Sequence, residues 1–171
     1  MATYMAMGID PFFYRTIDDP GFIRTLMERR TDWAIAIFQE AVRHGAEVIV
    51  VGDDAAYGSG SMISPAMWRA MVMPCHRRLV SALDVPVIWH SDGDVTTLLP
   101  MAIEAGFVGF HGLEPAAGMD LAAVKQAYSD QLTLIGNVDA QVLCERDLGA
   151  VRSEVDRCFQ QGGEIGYMFA S

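Results

Sequence analysis

The chain has 171 residues, of which 51% are hydrophobic and 20% charged, and its formal net charge is −10. This length and hydrophobicity suffice for one domain with a sizeable core, which excludes an intrinsically disordered protein. The acidic balance, with no basic stripe to neutralise phosphates, excludes a nucleic-acid partner. No apolar run is long enough to span a membrane.

The three cysteines, Cys75, Cys144 and Cys158, are widely spaced and odd in number. They form neither a disulfide framework nor a metal-binding CxxC pair. The first residues lack the charged and apolar regions of a secretory signal. These features predict a reducing, cytoplasmic setting.

Five short apolar runs predict β-strands, and a sixth run, Tyr4–Ile9, is a weaker candidate. The runs are mostly continuous in apolar residues, which is typical of parallel strands buried on both faces. The five predicted strands are Glu47–Val51, Pro86–His90, Phe107–Phe110, Leu132–Ile135 and Ile165–Phe169.

Helices are predicted around these strands by their end signals. Asp19 suits the N-cap of a first helix that runs from Pro20 to about His44, with Gly45 in the left-handed position after it. The apolar stripe predicted for this helix is Phe22, Ile23, Leu26, Trp33, Ile37 and Phe38.

The second helix begins at Ser64-Pro65, and Pro74 should kink or split it. Further helices are predicted from Thr97 to Ala105, from Asp120, and from near Asp147 to before Gly162.

Strands that alternate with helices predict an α/β fold with a parallel sheet. A closed (β/α)8 TIM barrel needs eight strands, and this sequence supplies five or six before it stops at Ser171. Residues 1–171 are therefore interpreted as a single partial domain, truncated at both ends. A complete open α/β sheet is the alternative.

Polar residues follow the carboxyl end of every predicted strand. In a parallel barrel these ends share one rim, where the active sites of such enzymes lie. The opposite strand ends carry ordinary turn residues, and some rim residues, such as Asp94 and Asp120, fit simple helix capping. The rim candidates are Asp53, Asp54, His90, Ser91, Asp92, His111, Glu114, Asn137, Asp139 and Ser171.

His90 and Asp92 are the most prominent pair because residues i and i+2 of a strand point to the same side. They suit a zinc, iron or manganese ion, with Glu114, Asp53 or Asp54 completing the ligands. An acid/base pair, direct hydrogen bonding to a substrate, and a pair that only braces a loop remain open.

The other histidines are weaker candidates. His44 suits a helix C-terminus, and His76, which lies beside two arginines, is expected to be solvated. His111 lies at the rim, and a role in the site and a role in bracing the loop stay equally open.

The sequence resembles the uroporphyrinogen decarboxylase superfamily through motifs whose order and spacing run along nearly the whole chain. The resemblance implies a (β/α)8 barrel of which this chain is the C-terminal part, about five βα units. The motifs are Gly52-Asp53-Asp54, Ile63-Ser64-Pro65, Trp68, Pro74, His90-Ser91-Asp92-Gly93, Glu114-Pro115, Gly118-Met119-Asp120, Gly136-Asn137-Val138-Asp139 and Gly162-Gly163.

The resemblance implies one of two activities. Methyltransferases of the family work with corrinoid proteins and use zinc, bound by His-x-Cys and a later Cys, to activate a thiol. Here His90 matches the histidine, but Asp92 stands in place of the first cysteine. The decarboxylases act on uroporphyrinogen without metal or cofactor. That polycarboxylate calls for arginines, and most arginines of this chain fall in helical segments.

The first hypothesis is a methyltransferase-like enzyme that transfers a one-carbon group to or from a small-molecule substrate with a corrinoid partner protein. In it, His90, Asp92 and Glu114 are catalytic, and His90 and Asp92 bind a divalent metal. Asp53, Asp54, Asn137 and Asp139 bind substrate. Uroporphyrinogen decarboxylase, a lyase of porphyrin biosynthesis, and a non-catalytic fragment are the alternatives. A homo-oligomer is compatible with each hypothesis.

Overall fold

The computed structural model describes residues 2–171 and has a five-stranded, fully parallel sheet at its centre. Each strand after the second adds to the same edge of the sheet. In their order across the sheet, the strands are β1 Ile49–Gly52, β4 Val87–His90, β5 Gly109–His111, β6 Thr133–Asn137 and β7 Tyr167–Ala170. Strands β2 (Ala56–Tyr57) and β3 (Gly60–Ser61) form a small separate hairpin.

Helices precede the sheet and connect its strands. A π-helical turn, Trp68–Val72, joins α4 (Pro65–Met67) to α5 (Met73–Ser81), and a short 3₁₀ turn, Pro115–Ala117, follows β5. The helices are α1 Ala2–Met7, α2 Ile9–Asp18, α3 Pro20–Arg43, α4 Pro65–Met67, α5 Met73–Ser81, α6 Leu99–Ala105, α7 Leu121–Tyr128, α8 Ala140–Cys144 and α9 Leu148–Gly162.

The main core lies against the face of the sheet that carries Trp89. Trp89 is fully buried, and its ring centroid lies 5.8 Å from that of Trp68 and 5.4 Å from that of Phe110. Phe107 packs on the same ring at 6.3 Å. Such large apolar side chains dominate the burial that holds a domain together. These contacts anchor β4 between β1 and β5, next to the polar residues at its carboxyl end.

The five predicted strands are confirmed in number, order and direction, with ends shifted by up to two residues. The predicted helix caps are confirmed as well: Asp19 accepts a hydrogen bond from the Phe22 amide at 3.0 Å, and Asp120 accepts one from Ala123 at 2.9 Å. Gly45 has φ +97°, as expected after the end of α3. The aspartates thus cap the free amides at helix N-termini, and the glycine takes the left-handed conformation after a helix C-terminus.

Several other predictions are wrong. The weak strand candidate Tyr4–Ile9 is helical, because α1 and α2 pack on α3 there. On α3, the stripe residues Phe22, Trp33 and Ile37 are 43%, 64% and 43% exposed. By contrast, the split predicted for the second helix at Pro74 is confirmed, because the π-helical turn interrupts that helix just before this residue. The hairpin and α8 were not predicted.

The prediction that the strands are buried on both faces is also wrong for the described residues. Ile49 and Val51 are buried, but Val50 between them is 53% exposed. At the other edge, Met168 is 55% exposed. The helices cover one face of the sheet, and its second face retains exposed apolar side chains.

No helix among residues 2–171 is both long enough and apolar enough to cross a bilayer.

A half-buried ion pair between Arg157 and Glu154 supports the segment that follows β6. Arg157 donates to Glu154 Oε1 at 2.6 Å and to the carbonyl oxygen of Asn137 at 2.9 Å, while Glu154 Oε1 also accepts from the Asp139 amide at 2.8 Å. The Arg157 hydrogen bond holds the pKa of the Glu154 carboxyl below its usual value, although burial opposes the shift. Helix α9 thereby fixes the backbone on both sides of Val138.

We expect Glu154→Gln to lower the melting temperature at pH 7 and to have less effect in acid. A carboxyl whose pKa is depressed in the folded state stabilises the fold above its unfolded pKa of about 4.3. That stability is lost as the pH falls through the lower folded pKa. Thermal unfolding from pH 7 to pH 3 checks this, with Glu47→Gln, an exposed carboxyl just before β1, as the control. A constant difference across this pH range would contradict the account.

Candidate active site at the carboxyl ends of the strands

The end of β4 is held between its two neighbours by backbone hydrogen bonds. The Asp53 amide donates to the His90 carbonyl at 2.9 Å, and the Ser91 amide donates to the His111 carbonyl at 3.1 Å. Because the pairing is parallel, Gly52, His90 and His111 occupy one line across the sheet. The polar residues that follow three strands therefore meet at one edge.

Ser91 braces the segment between His90 and Asp92. Its side chain is fully buried, accepts a hydrogen bond from the Ala55 amide at 3.0 Å, and donates to the Asp92 carbonyl at 2.9 Å. A buried hydroxyl that both donates and accepts a hydrogen bond holds the backbone segments it connects in fixed positions. Ser91 thus turns inward, and its two neighbours project at the edge.

Asp54, His90 and Asp92 form a compact group of potential metal ligands. One ligand atom from each of the three lies within 4.8 Å of the other two. His90 Nε2 is 3.7 Å from Asp54 Oδ1, and the same Asp54 oxygen accepts from the Asp92 amide at 3.2 Å. Asp54 and His90 are half-buried, whereas Asp92 is exposed. One nitrogen and two carboxylate oxygens suit a divalent first-row ion.

His111, on the neighbouring strand, contacts the other nitrogen of His90. The two Nδ1 atoms are 2.8 Å apart, and the ring centroids are 4.7 Å apart. Burial and the neighbouring His90 lower the pKa of His111, while Asp92 acts in the opposite direction. The pair therefore favours a neutral imidazole at His111.

Two glycines make the close approach of these loops possible. Gly93 has φ +82°, and a Cβ built there would lie 2.7 Å from the backbone of Ala56. Gly112 has φ +126°, and a Cβ there would lie 2.2 Å from the Ser91 carbonyl oxygen. The Gly93 amide donates to Glu114 Oε2 at 2.9 Å, which ties the β4 loop to the β5 loop.

The structure places Asp53 away from the potential metal ligands. Its Oδ2 lies 2.9 Å from Nε2 of His76, whose side chain is 8% exposed. Burial raises the pKa of Asp53, the His76 hydrogen bond lowers it, and with other charges nearby the net shift is downward.

The prediction that His76 is solvated is wrong, because its ring packs edge-on against Trp68 and Phe107. Its spacing from Trp68, two steps of four, is typical of a shared buried face and could have revealed this.

Asn137 and Asp139, predicted to bind substrate, have different surroundings. Asn137 is 1% exposed, and its side-chain amide donates to the carbonyl oxygens of Leu113 and Met119. Asp139 is half-buried and accepts a hydrogen bond from the Gln141 amide at 2.8 Å. Asn137 thus braces loops from within, whereas Asp139 reaches the cavity wall.

An open cavity of about 390 Å³ lies at this edge. Its wall combines imidazoles, carboxylates and small apolar side chains, and it contains no arginine or lysine among the described residues. The polar wall residues are His90, Asp92, His111, Glu114, Asp139, Gln141 and Ser171.

This arrangement defines a parallel α/β protein with an acidic, histidine-containing site at the carboxyl ends of its strands. The uroporphyrinogen decarboxylase (URO-D) family model matches residues 1–171, and the chain belongs to that family.

Three curated relatives of this chain are named for two different activities, methyl transfer and uroporphyrinogen decarboxylation. The chain is 26% identical over 92% of its length to a methylated-thiol–coenzyme M methyltransferase of Methanosarcina mazei, and 25% over 93% to a methylcobamide:CoM methyltransferase of Methanosarcina barkeri. It is 30% identical over 84% of its length to a uroporphyrinogen decarboxylase of Syntrophotalea carbinolica. These matches cover 42%, 46% and 40% of the relatives, so the chain spans less than half of their length.

A solved methyltransferase from Methanosarcina mazei has the same fold over this region. Its TM-score is 0.81 at 20% identity, over 95% of this chain and 47% of that protein.

We expect Gly93→Ala to destabilise the protein by at least about 2 kcal/mol, because it adds left-handed strain to a backbone clash. Gly58→Ala, in the hairpin, is the matched control, since a Cβ there meets nothing within 4 Å. Urea denaturation of both variants measures the difference. Equal stabilities would show that the backbone at Gly93 is not held as described.

Proposed function

We propose that this chain carries the metal site of a methyltransferase-like enzyme of the URO-D family. The convergence of Asp54, His90 and Asp92 at the carboxyl edge of the sheet is the observation that supports it most. Two of the three relatives are named as methyltransferases, one of them for methylcobamide and CoM. We further propose that the five strands are part of an eight-stranded barrel, which the exposed apolar face of the sheet supports.

The donor set decides which metal centre fits. The resemblance implied a zinc site with two cysteine ligands, and Asp92 replaces the first of them. A site with both thiolates does not fit these residues, whereas a divalent ion bound by one imidazole and two carboxylates does. Such an ion supplies Lewis acidity that lowers the pKa of a bound acceptor.

The residues of the chain would orient the acceptor around that centre. Ser91 holds the turn that separates His90 from Asp92, so the two side chains keep their relative positions. Glu114 joins the β5 loop to this turn through the Gly93 amide. Preorganised groups of this kind accelerate a reaction because they need no rearrangement at the transition state.

The charge of the cavity favours a neutral or cationic small molecule over a polycarboxylate. Asp92, Glu114 and Asp139 line it, and the described wall contains no basic side chain other than the two histidines. A carboxylate-rich substrate such as uroporphyrinogen would meet like charges without arginine partners. Uroporphyrinogen decarboxylation stays the second candidate, supported by the relative of that name at 30% identity.

We expect Asp92→Asn to weaken Zn²⁺ or Co²⁺ binding more than about 100-fold, because loss of an outer-shell partner alone costs 10–100-fold. Asp94→Asn is the matched control two residues away, since Asp94 only caps a turn through the Thr96 amide. Equilibrium dialysis with metal analysis measures both affinities. Equal affinities in the two variants would exclude Asp92 as a ligand.

We expect the protein to demethylate methylcobalamin in the presence of a small thiol, and His90→Ala to lose this activity. The thiol releases its proton to solvent, the methyl–cobalt bond breaks, a methyl–sulfur bond forms, and cobalt keeps the electron pair of the broken bond. The visible absorbance of the corrinoid follows this change. His44→Ala, on an exposed helix end, is the control. Conversion of uroporphyrinogen to coproporphyrinogen with no methyl transfer would instead establish the second candidate.

A further inference from the structure

The imidazole of His111 has no assigned role in the proposed site, although it contacts His90. The two residues are register partners on adjacent strands, and their Nδ1 atoms lie 2.8 Å apart. The loops that carry them are already joined by the Ser91–His111 backbone bond and by the Gly93–Glu114 bond. The imidazole contact is therefore not needed to hold the loops together.

A hydrogen bond between two ring nitrogens requires a proton on one of them and a lone pair on the other. When His90 Nδ1 carries the proton, its Nε2 is left with a lone pair. When His111 Nδ1 carries it, neutral His90 has its proton on Nε2. The second arrangement directs an N–H at Asp54, whose Oδ1 is 3.7 Å from that nitrogen, and blocks metal binding.

We propose that His111 is a positioning residue that selects the metal-binding tautomer of His90. It accepts the Nδ1 proton of His90, which leaves Nε2 as the donor atom toward Asp54 and Asp92. Neutral His111 then carries its own proton on Nε2, so it acts as a hydrogen-bond donor on the cavity wall. This inference rests on the proposed metal site, and it assigns a function to a residue outside the three ligands.

The surroundings of His111 support the acceptor role. Metal-bound histidines commonly donate their second N–H to an oxygen acceptor, which fixes the ring and the tautomer. Here the atom beside His90 Nδ1 is the Nδ1 of His111. Glu114, the carboxylate on the same loop, is occupied by the Gly93 amide through Oε2. The imidazole therefore takes the place that a carboxylate or carbonyl has in other sites.

The first experiment reads the tautomers directly in the unaltered protein by nitrogen-15 NMR of labelled histidines. In the Zn²⁺-loaded protein we expect a protonated Nδ1 and a metal-bound Nε2 at His90, and a protonated Nε2 at His111. A metal-bound Nδ1 at His90, or a proton on Nδ1 of His111, would overturn the proposal. This measurement needs no variant, so it does not depend on how a mutant folds.

The second experiment compares two substitutions by Co²⁺ affinity and by the visible spectrum of the bound ion. His111→Asn retains an amide oxygen near the position of Nδ1, and we expect an affinity within about threefold of the original. His111→Leu removes the acceptor, and we expect a loss of about 10–100-fold with an altered spectrum. His44→Leu is the control.

The outcomes separate this inference from the proposed function. If the unaltered protein binds neither Zn²⁺ nor Co²⁺, the metal site itself is refuted and the role of His111 with it. If it binds metal and His111→Leu binds equally tightly, the site stands and the positioning role is refuted. Equal losses in the Asn and Leu variants would also refute it, because the acceptor would then not be the deciding feature.

Discussion

The parallel pairing of β4 between β1 and β5 is the constraint on which the site depends. It places Gly52, His90 and His111 on one line, so that the residues after three separate strands meet at one edge. The buried rings of Trp89 and Phe110 hold this register from below. A slip of one residue in β4 would exchange its two faces, burying His90 and exposing Trp89, at a cost of several kcal/mol.

Much of this arrangement was predictable from the sequence. Continuous apolar runs, glycines after helices and Asp or Ser caps depend on local chemistry, so the five strands and the main helices were found. The location of His90 and Asp92 at the carboxyl edge of the sheet followed from strand direction alone. The helical conformation of Tyr4–Ile9 and the burial of His76 depend on tertiary packing, which a local pattern does not contain.

Within the site, the sequence predicted which polar residues lie at the edge of the sheet better than it predicted which residues they contact. Asp53 and Asp54 are adjacent, yet one faces His76 and the other faces His90. Asn137 was grouped with Asp139, but it lies buried beneath the loops. Neighbours in sequence at a strand end alternate in direction, and only the fold determines which of them reaches the cavity.

We propose, as the central claim, that the edge of the sheet binds a divalent metal through the imidazole nitrogen of His90 and the carboxylate oxygens of Asp54 and Asp92. X-ray absorption spectroscopy of the Zn²⁺-loaded protein tests it most directly, because Zn–S distances of about 2.3 Å differ from Zn–N and Zn–O distances of about 2.0–2.2 Å. We predict a first shell of nitrogen and oxygen with one imidazole. A sulfur ligand, or a spectrum unchanged by His90→Ala, would contradict the claim.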